Sequence, residues 1–124
     1  MQAFFLIYIF MIEERVHFQE GFLEDFCKRN HIRKLSLFGS VLRADFRPDS
    51  DIDILVEFQE DKTPSLLNVV RMERELSILL GRSVELSMPE EFREQTRERV
   101  MKEATTQYEV RGSRSPTRYF GARA

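Results

Sequence analysis

Two aspartates separated by a single residue, Asp51 and Asp53, open the apolar run "DIDILVEF" at residues 51–58. Alternation across a strand puts both on one face, roughly 6.6 Å apart at the backbone. Two full charges at that separation repel by about 2.5 kcal/mol at an effective dielectric of 20, a cost that a divalent cation reverses. Hard oxygen donors of this kind suit Mg²⁺, which keeps water and phosphate oxygens in its shell. Upstream, the apolar run "LSLF" ends in Gly39-Ser40, and ten residues lie between Ser40 and Asp51. Glycine lets a backbone approach a ligand closely. A turn that opens into a short helix offers N–H groups to phosphate oxygens, and the serine hydroxyl can join them. Arg43 adds positive charge and planar donors one turn along. Glu85, at the centre of "SVELS" (83–87), brings a third carboxylate to the same place if its strand neighbours the one carrying the aspartates. On an edge strand it would simply face water.

A competing motif overlaps the pair. "DSDIDILVEFQE" (49–60) has acids at positions 1, 3, 5 and 12 of a calcium loop. Position 6 of such a loop must turn sharply and is ordinarily Gly. Here it is Ile54, and no helix is expected to end just before Asp49, so the calcium loop is set aside.

The elements that must position these residues can be read from periodicity. Between Ile12 and Arg29, the apolar residues Val16, Phe22, Leu23, Phe26 and Cys27 share one helical face, and Asn30 is a stop. Residues 34–38 alternate as a short strand, 41–46 suit a short helix, and "RPDS" is a turn. Residues 51–58 are rich in branched apolar side chains and read as a buried strand. Ser65–Leu80 reads as a helix with Leu66, Leu67, Val70, Leu76, Leu79 and Leu80 inward and Gly81 closing it. Residues 83–87 form a third strand. Pro89 suits a first helical turn, and the helix is expected to run to about Thr106 with Phe92, Val100, Met101 and Ala104 on its apolar face. This order predicts a small α/β (α+β) domain, a mixed three-stranded sheet flanked by about four helices.

The chain has 124 residues, enough for one core. Its net charge of −2 hides an asymmetry. The last fourteen residues hold four Arg and no acid, while the other 110 carry 15 basic and 21 acidic side chains, a charge of −6. A body this acidic argues against general nucleic-acid binding. The Arg-rich end, taken from residue 109, has the composition of a solvated, disordered tail. The only cysteine, Cys27, excludes an internal disulfide; it suits a reducing cytoplasm and is expected to be a packed thiol. His17 and His31 lack partners at zinc spacing. The apolar start, "MQAFFLIYIF", is too short to span a bilayer as a helix and lacks the features of a signal peptide. It is expected to be an extension, residues 1–11, ahead of a domain covering 12–108. A hydrophobic strand or a partner-binding segment is the alternative.

Gly39-Ser40, ten residues, then Asp51-Ile52-Asp53 matches G-S-x10-D-x-D. With this pattern, "LFGSVLRADFRPDSDIDILVEF" closely resembles the minimal nucleotidyltransferases (MNT) of the DNA polymerase β-like superfamily. The likeness continues through "SVELSMPEEFREQTRERVMKEA" and covers roughly residues 12–108. It implies the polymerase β-like nucleotidyltransferase fold, with Gly39 and Ser40 on the triphosphate and Asp51 and Asp53 on one or two Mg²⁺ ions. Glu85 falls on the third acidic position, where the family usually has Asp, as a further metal ligand or a base; its side chain is one methylene longer. The implied reaction is attack of a hydroxyl on the α-phosphorus of ATP, with pyrophosphate leaving. Larger relatives bind the acceptor in a further domain, for which this chain is too short, so the acceptor is expected on another protein. MNT proteins are commonly paired as antitoxins with HEPN-domain ribonuclease toxins, and some transfer AMP to a toxin tyrosine. The resemblance therefore implies an AMPylating antitoxin in a homo- or hetero-oligomer. The alternatives are an antitoxin that acts by binding alone, with a vestigial nucleotide site, and a transferase acting on a small molecule such as an aminoglycoside.

Overall fold

The computed structural model describes residues 2–110. Helices α1 (Gln2–Arg15) and α2 (Phe22–Arg29) lead into strand β1 (Ile32–Phe38) and a single 3₁₀ turn (Gly39–Leu42). Strand β2 (Ile52–Phe58), helix α3 (Leu66–Leu80) and strand β3 (Val84–Ser87) follow. A second 3₁₀ turn (Pro89–Glu91), helix α4 (Glu94–Glu103) and strand β4 (Thr105–Glu109) complete the order. The sheet runs β3-β2-β1-β4, with β1 antiparallel to both β2 and β4 and β2 parallel to β3. Helix α3 makes the crossover that a parallel pair requires.

The sheet has four strands where three were expected. Helix α4 ends at Glu103, its last turn closed by the Ala104 N–H donating to the Val100 carbonyl at 2.9 Å. Ala104 itself is extended, at φ −61° and ψ 141°. The β-branched pair Thr105-Thr106 then starts a strand, and β4 pairs Leu35 with Tyr108 and Leu37 with Thr105. Pairing with β1 outweighs the helical pattern that pointed to Thr106. The same stretch is not one helix from Pro89: a 3₁₀ turn and two further residues, Phe92 and Arg93, precede α4. Strand β4 takes in Glu109, a residue assigned to the tail; the tail itself, 111–124, lies outside the described residues.

The expected helix over 12–29 is two helices. Residues 16–21 break it, so that Ile12 and Val16 on one side and Phe26 and Cys27 on the other all reach the core. Helix α1 is continuous through Met11, so the apolar start is helical rather than a strand. Its outer side chains Phe4, Phe5, Leu6, Ile7 and Phe10 are exposed. Among the described residues no helix is long and apolar enough to cross a membrane.

One sheet face carries Leu35, Leu37, Ile52, Ile54, Val84 and Leu86, all buried in the core with Phe26 of α2 and Met72 and Leu76 of α3. Each large apolar side chain buried there contributes about 1.5–3 kcal/mol. Helix α3 turns inward the expected Leu76 and Leu80 but not the apolar residues expected from its first turns. Val69, Met72, Leu76 and Leu80 pack inward, whereas Leu66, Leu67 and Val70 are exposed. The Ser65 side chain caps this helix, accepting from the Asn68 N–H at 3.2 Å. Gly81 closes it in the left-handed region, at φ +69°.

Cys27 is fully buried, and burial pushes its thiol from the usual 9.0 up to about 12. The folded state therefore keeps a proton that the unfolded chain loses. This contribution to stability is intact below pH 9 and is lost as pH climbs toward 12. Urea titrations at pH 8 and pH 11 are expected to show a steeper loss for the wild type than for Cys27→Ala, and a thiol reagent at pH 8 should label Cys27 only on unfolding.

Candidate active site

The site is built where β1 ends and β2 begins. The antiparallel register places Phe38 opposite Asp53, so the chain leaving β1 passes directly over the Asp53 side chain. That passage admits only glycine. Gly39 has φ +78°, and a Cβ there would sit 3.1 Å from the Asp53 Cγ and closer still to Oδ2. The backbone then enters the 3₁₀ turn, and the Ser40 backbone N–H donates to the Asp53 carboxylate. The Ser40 hydroxyl reaches the Asp51 carbonyl at 3.4 Å, and the Arg43 N–H closes the turn on the Ser40 carbonyl at 2.9 Å.

Strand β3 supplies the third acid. Parallel pairing sets Glu85 opposite Asp53. This register is held from the outer side as well: the amides of Val84 and Leu86 point away from β2 and donate to Ser77 Oγ and Glu73 Oε2 of α3, each at 2.9 Å. The exposed edge of the sheet is thereby covered, and Glu85 is fixed beside the aspartate.

Electrostatics converge on Asp53. Burial pushes its carboxyl pKa upward most, and the charge of Glu85 adds to this. The Ser40 N–H pulls it down, the Asp51 charge pushes it up again, and Arg43 lowers it least; the net shift is upward. Four of the six candidate residues (Ser40, Arg43, Asp51 and Glu85) thus act on the carboxylate of a fifth, Asp53, and Gly39 makes room for it. Asp51 lies just ahead of β2 and is exposed, as are Glu85 and Arg43. Arg43 also pairs with Asp45 at 3.5 Å. Among the described residues no three His, Cys, Asp or Glu side chains are gathered closely enough to hold a metal ion. The donor chemistry nevertheless fits Mg²⁺: hard carboxylate oxygens around an aspartate whose neighbours carry excess negative charge. This ion is usually held by one or two carboxylates plus substrate phosphates rather than by an all-protein cage.

Sequence reasoning missed the residues that hold the site in shape. Glu73 and Ser77 are one helical turn apart on α3, a polar pair beside its apolar face, and this spacing was the available signal. The loop joining the turn to β2 is bound by two arginines. Arg15 Nη1 donates to the carbonyls of Val41 and Arg43 at 2.8 and 2.6 Å. Arg82 Nη2 donates to those of Arg47 and Ser50 at 2.6 and 2.8 Å. Neither arginine has a sequence signature, because each partner lies at least 26 residues away.

A family profile described as a nucleotidyltransferase domain matches residues 20–108. The protein adenylyltransferase MntA of Thermococcus cleftensis is 38% identical over 76 residues, 61% of this chain and 75% of the relative. A provisionally named protein adenylyltransferase of Methanocaldococcus jannaschii is also 38% identical over 76 residues, 61% of this chain and 80% of the relative. Among solved structures, one provisionally identified as a minimal nucleotidyltransferase gives a TM-score of 0.56 at 36% identity, over 66% of this chain and 82% of that one. A toxin–antitoxin crystallised with AMP-PNP gives 0.59 at 19% identity, over 72% of each chain. At that identity the likeness is one of fold.

Two substitutions check the geometry. Because the Asp53 carboxyl is shifted upward, its charge opposes folding at neutral pH. Asp53→Asn is expected to stabilise the protein at pH 7 by roughly 0.5–2 kcal/mol. The gap should shrink as pH falls and the wild-type carboxyl takes up its proton, measured by urea unfolding across pH 4–7. Gly39→Ala should do the opposite, lowering stability by about 1–3 kcal/mol through left-handed strain and collision with Asp53.

Proposed function

Because the chain belongs to the nucleotidyltransferase domain family, we propose that it transfers AMP from ATP to a hydroxyl of a partner protein, with Mg²⁺. The acceptor is a tyrosine of a HEPN-domain ribonuclease toxin, and the chain is the antitoxin. The names of the relatives, protein adenylyltransferases, support the reaction class, and the fold shared with toxin–antitoxin structures supports the partner. The observation that carries the reading is the meeting of the Gly39-Ser40 turn with the Asp53 carboxylate, beside Glu85 in register.

In the reaction the acceptor oxygen forms a bond to the α-phosphorus and the bond from that phosphorus to the bridging oxygen breaks. Pyrophosphate leaves, and the hydroxyl proton passes to a base. The Gly39-Ser40 turn brings backbone against the triphosphate, and the Ser40 hydroxyl donates to its oxygens. Asp51 and Asp53 would hold Mg²⁺, which when bound would withdraw charge from the phosphates. Glu85, in register with Asp53, would receive the proton. Arg43 offsets charge developing on the leaving group.

The exposure of Glu85 and the absence of a gathered three-carboxylate group among the described residues favour one rival: an antitoxin that inhibits by binding alone. Incubation with Mg²⁺, ATP labelled in the α-phosphate and the HEPN partner separates the two. Label is expected on the partner, lost when its acceptor tyrosine becomes Phe. Asp53→Asn should lower labelling roughly 100-fold or more, and chelation of the metal should abolish it. Tight binding and toxin inhibition without label would leave the binding reading.

A further inference from the structure

The geometry points to Arg15 and Arg82 as positioning residues that clamp the loop between the Gly39-Ser40 turn and Asp51, and so set the nucleotide site through that loop. This rests on the nucleotidyltransferase reading and adds to it two residues, one of them on α1, outside the motifs.

The loop, 43–50, contains neither helix nor strand. Its internal bonds are few: the Ser50 N–H to the Arg47 carbonyl at 2.9 Å, the Arg47 N–H to Ser50 Oγ at 3.0 Å and a longer contact from the Phe46 N–H to the Arg43 carbonyl at 3.4 Å. Two ion pairs, Arg43–Asp45 at 3.5 Å and Arg47–Asp49 at 3.7 Å, also lie within the loop, and the two guanidinium groups tie it to the rest of the fold. Arg15 takes carbonyls at the beginning of the segment, Val41 and Arg43; Arg82 takes carbonyls at its end, Arg47 and Ser50. Between them lies the Phe46 ring, with the Arg15 guanidinium carbon 5.1 Å from its centroid and that of Arg82 4.4 Å. One aromatic side chain is thus held by two cations, which also grip the backbone on both sides of it.

Arg82 is well placed to reach the site. It stands two residues before Val84, and the Ser83 carbonyl between them accepts the Ile52 N–H at 2.8 Å. A shift of Arg82 would therefore move the first residue of β2, between the two aspartates, as well as the loop. Arg15 plays the matching part at the other end, where the Val41 carbonyl follows Ser40 directly. The clamp also carries a cost. Arg82 Nε is buried without a hydrogen-bond partner among the described residues, which a purely stabilising contact would not favour.

Two measurements on the full chain test this. The first is amide hydrogen exchange of wild type, Arg82→Ala, Arg82→Lys and Phe46→Leu, without nucleotide. Arg82→Ala and Phe46→Leu are expected to speed exchange at least tenfold over 39–53, including Ser40 and Ile52, while β1 and α2 keep wild-type protection. Arg82→Lys, a point charge without the fork, should fall between. The second is calorimetric titration with MgATP, where Arg82→Ala should weaken binding at least tenfold per folded molecule. Unchanged exchange at Ser40 and Ile52 in both Arg82→Ala and Phe46→Leu overturns the clamp, as does wild-type affinity in a variant whose loop exchanges fast. If Arg82→Ala does not fold, Phe46→Leu and Arg15→Ala decide by the same readings. A wild type that takes up no MgATP would sink the nucleotidyltransferase reading instead, and exchange alone would then decide the clamp.

Discussion

The structure turns on one close approach, the passage of the backbone at Gly39 over the carboxylate of Asp53. The antiparallel pairing of β1 and β2 forces it by placing Phe38 opposite Asp53, so the first residue beyond the strand has no room for a Cβ. The left-handed φ of Gly39 turns the next amide, Ser40, toward the carboxylate. The glycine, the serine and the second aspartate of the motif are therefore one geometric unit. Each is needed because of where the other two lie.

Charge gives the unit its chemical character. An aspartate on a half-buried strand, flanked by Asp51 and registered with Glu85, holds its proton more tightly than a free carboxyl. Ser40 and Arg43 offset this only in part. Folding alone would not select such an arrangement, since replacing a like-charged neighbour relieves it. A ligand that brings positive charge, or phosphates carrying a metal ion, turns the same arrangement into a binding site. The sheet bears the cost: its opposite face carries the apolar core residues of β1, β2 and β3, and its outer edge is closed by Ser77 and Glu73.

Much of the fold was legible in the sequence. Strand β2 was read from its branched apolar residues, α3 from its length and its Gly81 stop, and β3 from alternation. The failures have physical causes. Helical periodicity continues from α1 into α2, which hid the break at 16–21 even though Gly21 stands in it at φ +83°. In α3 the leucines at 66 and 67 look as apolar as those at 76 and 80, yet the sheet touches only the face of Val69, Met72, Leu76 and Leu80. Strand β4 was missed because its first two residues were read as the end of a helix and its last as tail, and β1 supplies the pairing that makes its five residues a strand.

The candidate site divides in the same way. The sequence by itself singled out the candidate residues, because Gly-Ser and Asp-x-Asp are close in the chain. Tertiary structure alone decided that β3 lies beside β2 with Glu85 next to Asp53, and that Arg15 and Arg82 grip the intervening loop. Those contacts join residues 26 or more positions apart. Local spacing relates side chains only over a turn of helix or a few residues of strand, so pairings across the fold follow from how the elements pack.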